Sequence, residues 1–261
     1  MHVIASGSKG NASVVADRRT GRCVLIDCGI TGKNLMEGCA EAGVDPRLIE
    51  AVLVTHEHSD HVKGLGVAVR ALRSRGADPQ VLASRPAVRA SSALADLASQ
   101  VDVAHFAAGD ALSLAGMVIH PFATSHDASA SFGFRIECAG DALGFLTDSG
   151  MMTPAAHDAL SEVRVLGIEA NHDPTMLRAC DYPAYLKARI ASDRGHLSND
   201  QCADELDSLL STRLQHVVAL HVSENANTYR AALSAVERAV SRQGHAARCA
   251  VGYQRRVVSV G

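Results

Sequence analysis

Between positions 55 and 61 the chain reads Thr55-His56-Glu57-His58-Ser59-Asp60-His61, which puts four potential metal ligands within six residues. Imidazole nitrogen and carboxylate oxygen, without thiolate, make a donor set suited to Zn²⁺, Mn²⁺ or Fe, with zinc the default expectation. In an extended segment side chains repeat every second residue, so His56 and His58 point the same way and can share one ion. Asp60 and His61 are then left for a second ion. Three imidazoles this close repel on protonation, a penalty that a merely solvated loop has no reason to carry. Two divalent ions lower the pKa of a shared water from about 15.7 towards roughly 7 and polarise a substrate oxygen. The chemistry expected of these residues is metal-assisted hydrolysis.

This cluster must be held by something. It follows an apolar β-branched run, Ala51–Thr55, and precedes a helical pattern, His61–Arg75. The C-terminal end of a strand is where α/β folds place reactive loops. Comparable short runs recur at Cys23–Asp27, Phe132–Cys138, Ala142–Thr147, Val163–Glu169 and His216–His221. Between and around them lie helical patterns at Thr31–Ala42, Arg85–Ala98, Pro154–Ala159, Tyr182–Ser192, Asn199–Ser211 and Asn227–Ser241. The alternation predicts a layered α/β sandwich, and the strand-rich stretch Asp102–Gly144 predicts an antiparallel portion in an otherwise mixed sheet. No linker or internal repeat divides the 261 residues, so one domain spanning 1–261 is expected.

The HxHxDH pattern resembles the metallo-β-lactamase superfamily, whose other landmarks occur here in order, each at a strand end. His126 (Thr124-Ser-His126-Asp127), Asp148 (Leu146-Thr-Asp148-Ser-Gly150) and His221 (Leu220-His221-Val-Ser) match the family's third histidine, bridging aspartate and final histidine. The resemblance implies a four-layer αββα metallo-β-lactamase sandwich and two divalent metal ions. His56, His58 and His126 would bind the first, Asp60, His61 and His221 the second, and Asp148 would bridge.

Lactams, thioesters and phosphodiesters are all substrates within that superfamily, and an acid–base pair narrows the choice. An acidic residue ends strand Val163–Glu169, and Gly195-His196-Leu197-Ser198-Asn199 precedes a helix. A phosphodiester alcohol leaves poorly without a general acid, a role suited to a histidine held by a carboxylate. The arrangement resembles the RNase Z-like phosphodiesterase branch, which implies Glu169 orienting His196. The rival reading keeps His196 a bystander beside a helix capped by Ser198 or Asn199. More narrowly the chain is similar to the YycJ/WalJ family of metallo-β-lactamase-fold hydrolases, notably at Ala5-Ser-Gly-Ser-Lys-Gly-Asn11, Glu169-Ala-Asn-His-Asp173 and Ser192-Asp-Arg-Gly-His-Leu-Ser-Asn199. Ala170 and Val222 stand where that family more often has Ser and Leu. The implied activity is a cytoplasmic phosphodiesterase, an exonuclease acting on DNA through a metal-activated hydroxide, with Asp60 and Asp148 also orienting it. Hydrolysis of a small thioester, lactone or cyclic phosphate is the alternative.

Composition adds limits. Thirteen His stand against five Phe, four Tyr and no Trp, so base stacking is not expected to supply much affinity for a nucleic acid. A net charge of -3 gives no global basic field. Lys187, Arg189 and Arg194 lie beside His196 in sequence and suit phosphate contacts. No 18-residue apolar window predicts a membrane helix, and no secretory signal is visible at the start. The seven cysteines form no CxxC pair and read as reduced cytosolic thiols. The Ser6–Asn11 segment either turns its amides towards the site or is a plain hairpin turn, and His172 and Asp173 are close enough to Glu169 to line the pocket.

Overall fold

The computed structural model describes residues 1–261. The first half of the chain runs β1 (His2–Ala5), β2 (Ala12–Ala16), β3 (Cys23–Ile26), α1 (Gly32–Ala42), a 3₁₀ turn, β4 (Ile49–Leu53), α2 (Ser59–Val62), α3 (Leu65–Arg73), β5 (Gln80–Leu82), α4 (Arg85–Ala90), α5 (Ser92–Ala98) and β6 (Val103–Ala104). The second runs β7 (Leu112–Leu114), β8 (Met117–Ala123), β9 (Phe132–Cys138), β10 (Asp141–Leu146), α6 (Pro154–Leu160), β11 (Val165–Glu169), α7 (Pro174–Ala179) and α8 (Ala184–Ile190). It finishes with α9 (Asn199–Leu209), β12 (His216–Leu220), α10 (Tyr229–Arg242), β13 (Arg248–Val251) and β14 (Val258–Ser259).

Two seven-stranded sheets result, ordered β14-β1-β2-β3-β4-β5-β6 and β13-β12-β11-β10-β9-β8-β7. In each, antiparallel strands (β1–β3, β7–β10) lead into parallel ones (β3–β6, β10–β13). The halves therefore share a topology that no repeat in the sequence announces. Period-two alternation builds the layers. Along β3, Cys23 and Leu25 join Leu35, Leu65, Leu72 and Leu94 beneath α1, α3 and α5, while Val24 and Ile26 face the other sheet with Phe134, Phe145 and Leu220. Leu160, Leu166, Leu206 and Val236 form the third cluster, under α6, α9 and α10. The expected αββα order is present. Each fully buried Leu, Ile or Phe is worth ~1.5–3 kcal/mol, which makes these three clusters the source of the frame's rigidity.

Register then brings the reactive residues level. Ile26 pairs with Leu53, so Asp27 and Thr55 leave the first sheet side by side. Leu146 pairs with Ile168 and Glu169 with Leu220, which aligns Asp148, Glu169 and His221 on the second. The opposite end of the sandwich holds a cavity of about 860 Å³ beside Arg18, Ile136, Arg164 and Arg248, and none of the candidate site residues lines it.

The elements depart from expectation in places. The pattern His61–Arg75 becomes two helices because the Gly64 amide bonds the Cys28 carbonyl and a Cβ there would sit 1.8 Å from the Ile30 oxygen. Arg85–Ala98 also divides, at Ser91, whose extended backbone (φ -115, ψ 120) ends one helix and whose hydroxyl caps the next. The short strands β1 and β7 and the helix α7 were not anticipated. Asp173, read as a pocket residue, is the N-cap of α7, accepting from the amides of Thr175 and Met176, with Pro174 opening the helix. No helix is long and apolar enough to cross a membrane.

Candidate metal centre and acid–base pair

His56, just beyond β4, is completely buried. Its Nδ1 lies 3.0 Å from the Thr55 hydroxyl, and its Nε2 has no hydrogen-bond partner. His58 immediately precedes α2 and brings Nδ1 to 3.1 Å from His126 Nε2. On its other side His126 donates from Nδ1 to the Gly195 carbonyl, 2.9 Å away. The donor atoms of His56, His58 and His126 lie within 4.8 Å of one another.

A second set, Asp60, His61 and His221, meets the same limit, and His56, His61 and Asp148 connect the two. His61 Nε2 is 3.2 Å from Asp148 Oδ2 and 3.6 Å from Asp60 Oδ2, and His221 Nε2 is 3.4 Å from Asp60 Oδ2. Asp27 was missed by sequence reasoning. It is buried, accepts from His61 Nδ1 at 2.7 Å and binds the amide and hydroxyl of Thr55 at 2.8 and 2.7 Å. Asn11 was missed too: its Nδ2 lies 3.0 Å from His61 Nε2, and its Oδ1 accepts from the Gly7 amide. The Ser6–Asn11 segment meets the site through side chains and not through its amides: the Gly7, Lys9 and Asn11 amides are taken by Asn11 Oδ1, Gln254 Oε1 and the Asp60 carbonyl, while the His221 amide donates to Ser6 Oγ at 2.7 Å.

Glu169 is fully buried and saturated. Oε1 accepts from His196 Nδ1 at 2.8 Å and from His221 Nδ1 at 2.9 Å, while Oε2 accepts from the amides of Ser149 and Leu197. One carboxylate thus orients two imidazoles, one in the cluster and one at its margin. His61, His126, His196 and His221 all spend Nδ1 on a protein acceptor, which fixes the tautomer and presents Nε2. Ser198 caps α9 in a reciprocal pair with Gln201, so His196 has no capping duty. Every site residue named from the sequence is brought into this one region, and the missed Asp27 had a signal: an acidic residue closing an apolar strand.

The backbone contributes. Asp27, Asp148 and His221 have φ of 57, 52 and 53, left-handed values that swing each side chain out directly after its strand. Such residues cost ~1–3 kcal/mol apiece and persist where the surroundings hold them.

Electrostatics follows burial and pairing. Burial, then the neighbouring His61, drives the His56 imidazole well below its usual pKa. Burial opposes charge on His221 as well, but Asp148, Asp60 and Glu169 outweigh it and raise that group to about 10. His61 goes up for the same reason, burial being overcome by Asp148 and Asp27. Burial raises the Glu169 carboxyl, yet His196 and the hydrogen bonds from both histidines bring it down to about 2. The site is therefore a set of opposed charges and lone pairs that cations would reconcile. The partnerless His56 Nε2 and the two imidazole nitrogens 3.1 Å apart are the observations that test the fit. These His and Asp residues are able to hold divalent metal ions.

Known proteins share this architecture. Residues 22–221 match the family described as the β-lactamase superfamily domain. The exodeoxyribonuclease YycJ of Bacillus anthracis is 29% identical over 242 residues, 93% of this chain and 89% of its own. The exodeoxyribonuclease WalJ of Streptococcus pneumoniae serotype 2 is 31% identical over 225 residues, covering 86% of this chain and 82% of its own. Among solved structures, the metallo-β-lactamase fold protein YhfI of Bacillus subtilis superposes with a TM-score of 0.71 over 98% of both chains, at 13% identity.

Proposed function

The chain belongs to the β-lactamase superfamily, alongside the YycJ/WalJ exodeoxyribonucleases, and from that premise we propose that it is a metal-dependent phosphodiesterase that shortens DNA from an end. His56, His58 and His126 would hold one divalent cation and Asp60, His61 and His221 a second, with Asp148 between them. Zinc is the ion we propose. When bound, such a pair brings a shared water towards a pKa of roughly 7 and offsets phosphate charge.

The observation that carries the reading is the Glu169–His196 contact of 2.8 Å at the margin of the cluster. The departing alcohol of a phosphodiester needs a proton, as that of a lactone does, whereas the thiolate of a thioester leaves without one. With Nδ1–H held by Glu169, His196 acts as a general acid in its doubly protonated form, giving Nε2–H to the leaving oxygen while the carboxylate balances the cation. Its side chain is 18% exposed, enough to meet substrate, while Glu169 behind it is sealed from water. Asp60 and Asp148 accept from the attacking water and set its direction. The seven thiols are all unpaired, which suits the reducing cytoplasm in which we place the enzyme.

The test is a substrate panel of 5′-phosphorylated duplex DNA, single-stranded DNA, RNA and an activated phosphodiester, with Zn²⁺ or Mn²⁺ supplied. Nucleotide release from DNA is expected. His56→Ala loses metal and turnover together. His196→Ala keeps its metal and loses about 10²–10⁴-fold in kcat. Full activity in the latter on a DNA substrate would remove the acid role.

A further inference from the structure

Between β11 and α9 the chain leaves the sandwich as an arm, residues 174–195, that carries α7 and α8. The arm is keyed to the site. The His196 amide donates to the Ile190 carbonyl at 2.9 Å, Ser125 Oγ to the Asp193 carbonyl at 2.6 Å, and Arg194 to the His126 carbonyl at 3.3 Å. Gly150 packs so closely that a Cβ would lie 2.3 Å from the Ser192 oxygen. Yet α8 buries none of its residues fully. Leu186, Lys187 and Ile190 are half-buried against the body, and the face that carries Tyr185 and Arg189 is left open.

Its chemistry says what. The arm carries Arg178, Lys187, Arg189 and Arg194 against two carboxylates, in a chain whose net charge is -3. Arg189 pairs with Asp127, the residue after His126, which ties this face of α8 to the margin of the candidate metal centre. Tyr185 precedes Arg189 by four residues, one turn away on the same helical face. It is 75% exposed, the most open large hydrophobic side chain in the molecule. The other tyrosines are occupied: the Tyr229 and Tyr253 rings meet at 4.6 Å, tilted by 53°, and the Tyr182 hydroxyl accepts from Asn225. A lone exposed ring needs no explanation by itself. A ring on the open, cation-bearing face of a helix anchored beside His126 and His196 does.

We propose that this arm receives the unpaired end of a DNA strand, with Tyr185 stacking on a base while Arg189, on the same face of α8, and Arg194 meet the phosphates that lead into the site. The proposal deepens the phosphodiesterase reading and rests on it. It also revises the expectation from composition: one ring can serve when its helix is tied beside the site, since a base–aromatic stack contributes about tenfold or more in affinity.

The experiment measures binding of a short fluorescein-labelled oligodeoxythymidylate by anisotropy, in the His196→Ala background with Zn²⁺ present. Tyr185→Leu weakens binding about tenfold, and Tyr185→Trp binds at least as tightly as the parent, because the ring and not the bulk is read. Blunt duplex DNA, whose bases are already stacked, binds both variants alike. Equal affinity of parent and Tyr185→Leu for the oligonucleotide overturns the proposal, as does an equal loss on duplex. Failure of the underlying reading looks different: the unsubstituted protein binds the strand but hydrolyses no phosphodiester in the substrate panel.

Discussion

Asp27 illustrates how a residue outside the proposed ligand set governs it. Its carboxylate spans His61 Nδ1 and both polar groups of Thr55, so it fixes an imidazole and the strand end that introduces His56. Asp27→Asn keeps the shape but loses the charge-assisted bond, and metal affinity should fall about 10–100-fold, read by chelator competition. His221 gives a pH prediction. Its pKa rises from 6.5 to about 10, so in the metal-free chain its stabilising contribution is complete below 6.5 and lost as pH climbs through about 10. A metal needs the neutral imidazole, hence affinity for Zn²⁺ should strengthen across that same window, measurable by titration at several pH values. The residues that sequence alone reveals are those whose meaning is local. His56, His58, Asp60 and His61 announce themselves by spacing. Asp27 acts 34 positions from its partner and Asn11 acts 50 positions away, distances that only sheet register closes. The second duty of Glu169, towards His221, was hidden for the same reason.

Among the elements, the tightest constraint lies where the loop after β3 passes the first turn of α2. A Cβ on Gly29 would fall 1.6 Å from the Asp60 carbonyl oxygen, and the Asn11 amide donates to that same oxygen at 2.8 Å. Gly29→Ala must push Asp60 and His61 off their positions. We expect a loss of about 1–3 kcal/mol in thermal or denaturant unfolding, together with weaker metal binding. The central strands and long helices were legible because continuous apolar runs and helical spacing describe them well. The breaks at Gly64 and Ser91 were not, since helical periodicity continues through both and only packing against Ile30, in the first case, forbids it. The helix α7 had a readable Asp–Pro start, overshadowed by the pull of the neighbouring Glu169. Short β1 and β7 offer too few residues for a pattern.

At the scale of the whole molecule the candidate centre straddles the two halves. His56, His58, Asp60 and His61 leave the first sheet, and His126, Asp148 and His221 leave the second. Bound ions would therefore act as cross-links between sheets as well as reagents. Chelation should lower the apparent stability by about 2.7 kcal/mol from a starting point of one hundred times Kd, seen as a drop in Tm that added Zn²⁺ reverses. The layered α/β arrangement could be anticipated from the alternation of patterns, and its αββα order from the family resemblance. The matching topology of the halves could not, since sheet order is a tertiary fact. The passage between them is the exposed loop at 107–111, joining β6 to β7. Loops of that kind tolerate nicking. A chain severed there would fall into two pieces, each owning part of the donor set, with β14 of the later piece still adding a strand beside β1 of the earlier one. In those terms the molecule is a natural candidate for fragment complementation, its reunion driven by the apolar cluster that the two sheets share and by the β1–β14 pairing.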